Sequence, residues 1–179
     1  MAIAKYKKRF FDVEIPIVNK TTQLIAYEIS ELDGKYIKYD LTRILKGKSI
    51  LIDLKVKVSE NGEAIALPVG LNLVPYYIRR MMRKGTDYVE DSISVNCKDA
   101  VLKIKPLLIT RRKVSKAIRK ALREKTKIEL ENDLKDKSSE SIFEDILKNK
   151  IQKELSIKLK KIYPLSLCEI RSLKVEKVL

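Results

Sequence analysis

The sequence has no histidine, two cysteines, five glycines and five prolines among its 179 residues. Each shortage closes off a class of function. Without histidine the commonest general base and the commonest neutral metal ligand are both missing, and a Ser-His-Asp triad is excluded. Cys97 and Cys168 lie far apart and form no C-x-x-C pair. Neither a zinc site nor a disulfide framework is supported, and a reducing, cytosolic setting is expected with no cofactor and no metal. With so little glycine and proline, and 45% hydrophobic against 35% charged residues, the chain is neither disordered nor collagenous and should fold. No apolar run approaches the roughly 18 to 20 residues that cross a bilayer. Lys5, Lys7, Lys8 and Arg9 precede a strand-like run without the apolar segment of a secretory signal, so export is not expected. Asn19-Lys20-Thr21 then reads as a chance sequon.

What the chain has in excess is positive charge, a formal +15 from 39 Lys and Arg against 24 Asp and Glu. The surplus is local. Between Asn61 and Lys125 stand 15 basic and 6 acidic residues, whereas the segments before and after hold 12 against 8 and 12 against 10. Such a concentration implies a polyanionic partner rather than solubility alone. The densest part is Arg111-Arg112-Lys113 with Lys116, Arg119, Lys120 and Arg123, and no acidic residue interrupts it before Glu124. A phosphate backbone is the expected counterpart.

Along the chain, Phe10 to Val18 reads as a strand broken by Pro16. Leu24 to Ile29 and Lys35 to Tyr39 read as further strands around an Asp33-Gly34 turn. Asp40 caps a short helical turn that Gly47 ends. From Ser49 to Leu73 the pattern is a hairpin: Ile50, Ile52, Leu54, Val56 and Val58 share one face, Lys55 and Lys57 the other, and Asn61-Gly62 reverses the chain. Pro75 opens a helix predicted through Lys84, with Arg79, Arg80, Arg83 and Lys84 in its last turn and Gly85 after it. A second hairpin pairs 87–96 with 100–109. The period then becomes helical, Val114, Ala117, Ile118, Ala121 and Leu122 forming an apolar stripe on a helix that runs to about Leu134. Ser139 or Ser141 caps a shorter helix through Leu147, a third runs from Lys150 to Ile162 before Pro164, and Leu167 to Val178 closes as a strand.

These elements predict an α+β fold: an antiparallel, barrel-like sheet with helices packed around it, and a helical carboxy-terminal half closed by a final strand. The expected organisation is a basic arm over 1–9 and one nucleic-acid-binding domain over 10–179, strand-rich in 10–110, helix-rich in 111–163 and closed by a strand in 166–178. Arg112, Lys116, Arg119, Lys120 and Arg123 recur three and four residues apart and make a positive ridge. An ordinary solvated face mixes both signs, whereas this one sets like charges side by side at a cost that a polyanion would offset. Aromatics are not interleaved with it, which favours backbone and shape recognition over base stacking. Tyr76 and Tyr77 are the nearest stacking candidates, though one at least is expected in the core.

Other motifs read more plainly. Gly47-Lys48-Ser49 imitates the end of a phosphate-binding loop but precedes a strand and lacks the earlier glycine. Asp87, Glu90 and Asp91 read as a solvated strand edge rather than a metal or acid/base group. The basic arm is expected to order on a polyanion. No convergent site for a small-molecule substrate is visible, and the large apolar helix face of a membrane binder is missing.

Several segments together resemble the small-subunit ribosomal protein family S3Ae, or eS1, of archaea and eukaryotes. They are Phe10-Phe11-Asp12-Val13 with Pro16, Gly34-Lys35 before Asp40-Leu41, and Gly70-Leu71-Asn72-Leu73 ahead of the Arg79-to-Lys84 segment. The strand pair at 86–109, Ile118-Arg119-Lys120, and Ile162-Tyr163-Pro164-Leu165 before Ile170-Arg171 complete the order. The resemblance implies a structural, non-enzymatic constituent of the small ribosomal subunit in the cytoplasm, on the platform near the messenger exit. Its implied partners are small-subunit ribosomal RNA and neighbouring platform proteins, with Arg79 to Lys84 and Arg111 to Arg123 clamping the RNA. Eukaryotic members carry long tails that this chain lacks, so the implied type is archaeal. A free-standing RNA-binding translational regulator is the alternative.

Overall fold

The computed structural model describes residues 7–45, 47–59 and 62–178. Its elements run β1 (Arg9–Ile15), β2 (Lys20–Ala26), β3 (Tyr36–Asp40), β4 (Ile50–Val58), β5 (Ala64–Leu73), α1 (Pro75–Met81), β6 (Tyr88–Glu90), β7 (Ile93–Asn96), β8 (Ala100–Thr110), α2 (Lys116–Leu134), α3 (Ser139–Leu147), α4 (Lys150–Leu159) and β9 (Leu165–Val178). This is the α+β fold expected, with the final strand back in the sheet. Strand pairing follows β2-β1-β5-β9-β8-β6, with β4 joined to β3 and β5 and β7 joined to β8, and the path does not close on itself. The residues gather into two compact units, 7–39 with 52–69 and 40–51 with 70–178.

In the first unit β1 pairs antiparallel with β2 and parallel with β5. Alternation along β4 buries Ile52, Leu54 and Val56, which join Val13, Ile15, Leu32 and Ala66 in an apolar core. Pro16 ends β1 as expected, because it opens a 3₁₀ turn over Pro16–Val18. A second 3₁₀ turn, Ile29–Leu32, takes the place of the strand end expected at Ile29. Its Leu32 is fully buried, a packing gain that a local pattern does not reveal. Gly34, at φ +73°, then leads into β3. The turn closing the β4–β5 hairpin includes Gly62, whose N–H donates to the Ser59 carbonyl, while Asn61 lies outside the described residues.

The second unit is built on β8, which pairs antiparallel with β6, β7 and β9. Leu107, Leu108 and Ile109 are successive and each no more than 1% exposed, so both faces of this stretch are covered. The ladder to β9 shifts between Lys105 and Pro106. Proline has no N–H to give, and a central strand tolerates it at such a bulge. α2 packs on β6, β7 and α4, and α4 also packs on β9. α1 stops at Met81 rather than Lys84, because Met82 turns to an extended conformation (φ −78°, ψ 118°). The cap of α3 is Ser138, whose Oγ accepts from the Ser141 N–H, not Ser139 or Ser141. α4 ends at Leu159, three residues short of Ile162, which is partly exposed.

Candidate nucleic-acid interface

Because α1 is short, Arg83 and Lys84 sit in a turn, held by the Thr86 N–H and Oγ1 on the Arg83 carbonyl (3.3 and 2.7 Å). Gly85 follows at φ +86°, a conformation that favours glycine. Asp87 is next and acts as a clasp. Its N–H donates to Thr110 Oγ1 (3.1 Å), its carbonyl accepts from the Thr110 N–H (2.9 Å), and its carboxylate accepts from the Val114 N–H (2.9 Å). Thr110 is fully buried, and its hydroxyl lies 2.7 Å from the Arg112 carbonyl. Arg83-Lys84 and Arg111-Arg112-Lys113 therefore flank one knot, although their first members are 28 positions apart. The sequence reading of Asp87 as solvated edge missed this, since the partners lie on the far strand of the hairpin.

From the clasp the chain enters α2, capped by Ser115 Oγ on the Ile118 N–H (3.4 Å). The first turn contains no acidic residue and starts with Lys116. Cations here face the positive end of the helix dipole as well as one another, so the arrangement is unfavourable until an anion arrives. Among the described residues Arg111, Arg112, Lys113, Lys116 and Arg119 make no ion pair. Lys120 approaches Glu124, and Arg123 approaches Asp91, at only 3.8 Å each.

Beyond Glu124 the helix changes character. Lys125 meets Glu129 at 2.8 Å, and Lys158 of α4 meets Glu129 and Asp133 at 2.8 Å each. Hydrogen bonds from Lys125 and Lys158 pull the Glu129 carboxyl down to about 2. The cations at the start of the helix are thus unpaired or only loosely paired among the described residues, whereas Glu129 and Asp133 farther along are met at close range by Lys125 and by Lys158 of α4.

Packing follows the same division, and here an expectation needs correcting. Full burial runs Leu122, Thr126, Leu130 and Leu134. Ala117 is exposed, while Val114, Ile118 and Ala121 are only half-buried. The apolar stripe beneath the ridge begins about two turns later than its sequence pattern suggests, so the ridge projects from the packed part of the helix.

In α1, Arg79 is exposed, while Arg80 reaches towards the Gly47 carbonyl (3.5 Å) and lies 5.5 to 6.0 Å from the Tyr77 and Tyr76 rings. Tyr77 is core, 5% exposed, and Tyr76 is 63% exposed. Of the arm, Lys5 lies outside the described residues, Lys7 and Lys8 are exposed, and Arg9 opens β1. Lys8 Nζ lies 5.4 Å from the Tyr27 ring. These arm residues belong to the first unit, and the other predicted cations to the second.

Lys48 is committed elsewhere. Its ammonium bonds Glu169 (2.6 Å) and Asn149, with both members of the ion pair largely buried. The phosphate-loop reading of Gly47-Lys48-Ser49 therefore fails on geometry as it did on pattern. Glu90 is held by Arg171 Nη1 at 2.7 and 2.8 Å. Among the described residues no group of three or more acidic or cysteine side chains could hold a metal. No helix among the described residues is long and apolar enough to cross a membrane. Burial pushes the Cys168 thiol up to about 12, where it stays protonated.

Residues 5–178 match the model of the Ribosomal S3Ae family. The chain is 30% identical over 132 residues to the small ribosomal subunit protein eS1 of Methanothermobacter thermautotrophicus, covering 73% of this chain and 68% of that protein. With eS1 of Pyrobaculum aerophilum it shares 31% over 140 residues, 78% of this chain and 63% of the relative. With eS1 of Saccharolobus islandicus it shares 29% over 161 residues, 86% and 76% of the two lengths.

Proposed function

The chain belongs to the Ribosomal S3Ae family, and from that premise we propose that it binds and stabilises ribosomal RNA on the platform of the small subunit, near the messenger exit, in support of translation. The family is one of structural constituents of the small ribosomal subunit in the cytoplasm and not of enzymes. The observation that carries the RNA reading is the segregation within the second unit. Five neighbouring cations, Arg111, Arg112, Lys113, Lys116 and Arg119, have no ion pair among the described residues and lie beside the Asp87 clasp, while farther along α2 Lys125 is matched to Glu129, and Lys158 of α4 to Glu129 and Asp133. Arg forks and Lys point charges on a fixed frame neutralise converging phosphates and let RNA segments approach that would otherwise repel. The folded surface would also meet neighbouring platform proteins.

A free-standing translational regulator would need reversible, sequence-selective binding instead. Sedimentation of cell extract through a gradient after a high-salt wash separates the two. The protein is expected to stay with small subunits, and its quantitative release into the soluble fraction would favour the regulator.

A further inference from the structure

The second unit carries another cationic feature, on the sheet rather than on a helix. An open groove of about 820 Å³ lies over the paired strands β5, β9 and β8. Lys103 and Lys174 are directly opposed in the β8–β9 register. Like charges at such positions repel, and of the two only Lys103 has an ion-pair partner among the described residues, Glu176 at 2.9 Å. Lys174 has Gly70 as its other neighbour, which offers no side chain to screen it. Lys105, two residues along the same face from Lys103, is exposed and has no ion pair among the described residues. The bulge at Pro106 leaves Arg171 outside the ladder and turns it onto Glu90. An apolar part of the lining is formed by Val74, Pro75 and Ile78 at the start of α1.

The groove and the ridge are joined. Glu90 and Asp91 form the corner between β6 and β7, where Arg171 grips Glu90 from the groove and Arg123, the last ridge residue, faces Asp91. The corner's negative charge is thus met on both sides, and a polyanion leaving the ridge encounters no unpaired carboxylate there.

We infer that this groove is a second RNA-binding surface, which takes an unpaired strand continuing from the α2 ridge. Phosphates would lie on Lys105 and Lys174, and a ribose or base on the Val74-Pro75-Ile78 wall. The apolar wall suits the ribose and base that an unpaired strand exposes and a duplex keeps within its stack. The inference rests on the RNA-binding reading above.

The test compares the full chain with the Lys105→Gln/Lys174→Gln variant, using an unstructured oligouridylate and a blunt RNA duplex as probes over a series of salt concentrations. Both residues are exposed on the sheet, so melting curves should coincide. For the single strand the salt slope should become shallower by about 1.4, roughly 0.7 for each lost phosphate contact, with affinity about tenfold weaker. Duplex binding should not change. If single-strand binding is unaltered while neutralising the ridge weakens both probes, the groove inference fails and the RNA reading survives. If neither set of substitutions matters, both fail. Equal loss on both probes would overturn the assignment to a single strand.

Discussion

Replacing Arg112, Lys116, Arg119 and Arg123 together by glutamine is expected to flatten the salt dependence of duplex RNA binding by about 3.6, close to 0.9 for each phosphate contact. Over a fourfold rise in salt the native protein should then lose about a hundredfold more affinity than the variant. Folding should survive. Arg112, Lys116 and Arg123 are exposed and Arg119 is half-buried. The acidic contact of Arg123 is long, 3.8 Å. Removing like charges three and four apart relieves about 0.2 to 0.5 kcal/mol per pair, so the melting temperature should hold or rise slightly. Titrations at several salt concentrations alongside thermal melts measure both. An unchanged slope with an intact fold would remove the ridge from RNA binding.

The largest effect on stability is expected at Lys48. Glu169 sits in an otherwise apolar stretch of β9, and burial raises its carboxyl above the usual range although Lys48 pulls in the other direction. Lys48→Met leaves that carboxylate buried without its cation, which should cost about 3 kcal/mol at neutral pH. Adding Glu169→Leu should recover most of the loss, because a matched apolar pair replaces a half-broken ionic one. The pH dependence has a definite sign. A buried carboxyl with a raised native pKa holds its proton where the unfolded chain, near 4.5, has released it. Stability from this group is therefore full below that value and declines as pH rises through the native one. The single variant's deficit should accordingly shrink as pH falls and grow towards neutrality. Denaturant unfolding at several pH values tests this, and a pH-independent deficit would contradict it.

These two sites were not equally legible in the sequence. The ridge was visible because its spacing and its one sign lie within one short stretch of chain, although Arg112 falls before α2 begins at Lys116. Lys48, Asn149 and Glu169 are brought together across more than a hundred positions, and the only local hint is a carboxylate between Cys168 and Ile170. Strands were read well where a single face is buried, as in β4, since alternation survives there. The pattern failed where tertiary packing decides, at Leu32 in its 3₁₀ turn, and at Ala117 and Ile118, whose helical spacing is right but which nothing covers fully. Arg83 and Lys84 were recognised as cations, but their place beside Arg111 depends on the Asp87–Thr110 clasp. That clasp uses a cross-strand register, which composition cannot give.

The most direct test is nucleotide-resolution crosslinking of assembled small subunits, with a photoreactive group introduced in turn at positions 112, 116 and 119. All three sites should attach to ribosomal RNA within one compact region of its folded structure. Crosslinks confined to protein, or none at all while Lys113 and Lys116 react freely with a lysine reagent inside the particle, would mean that the ridge faces solvent and that RNA is held elsewhere.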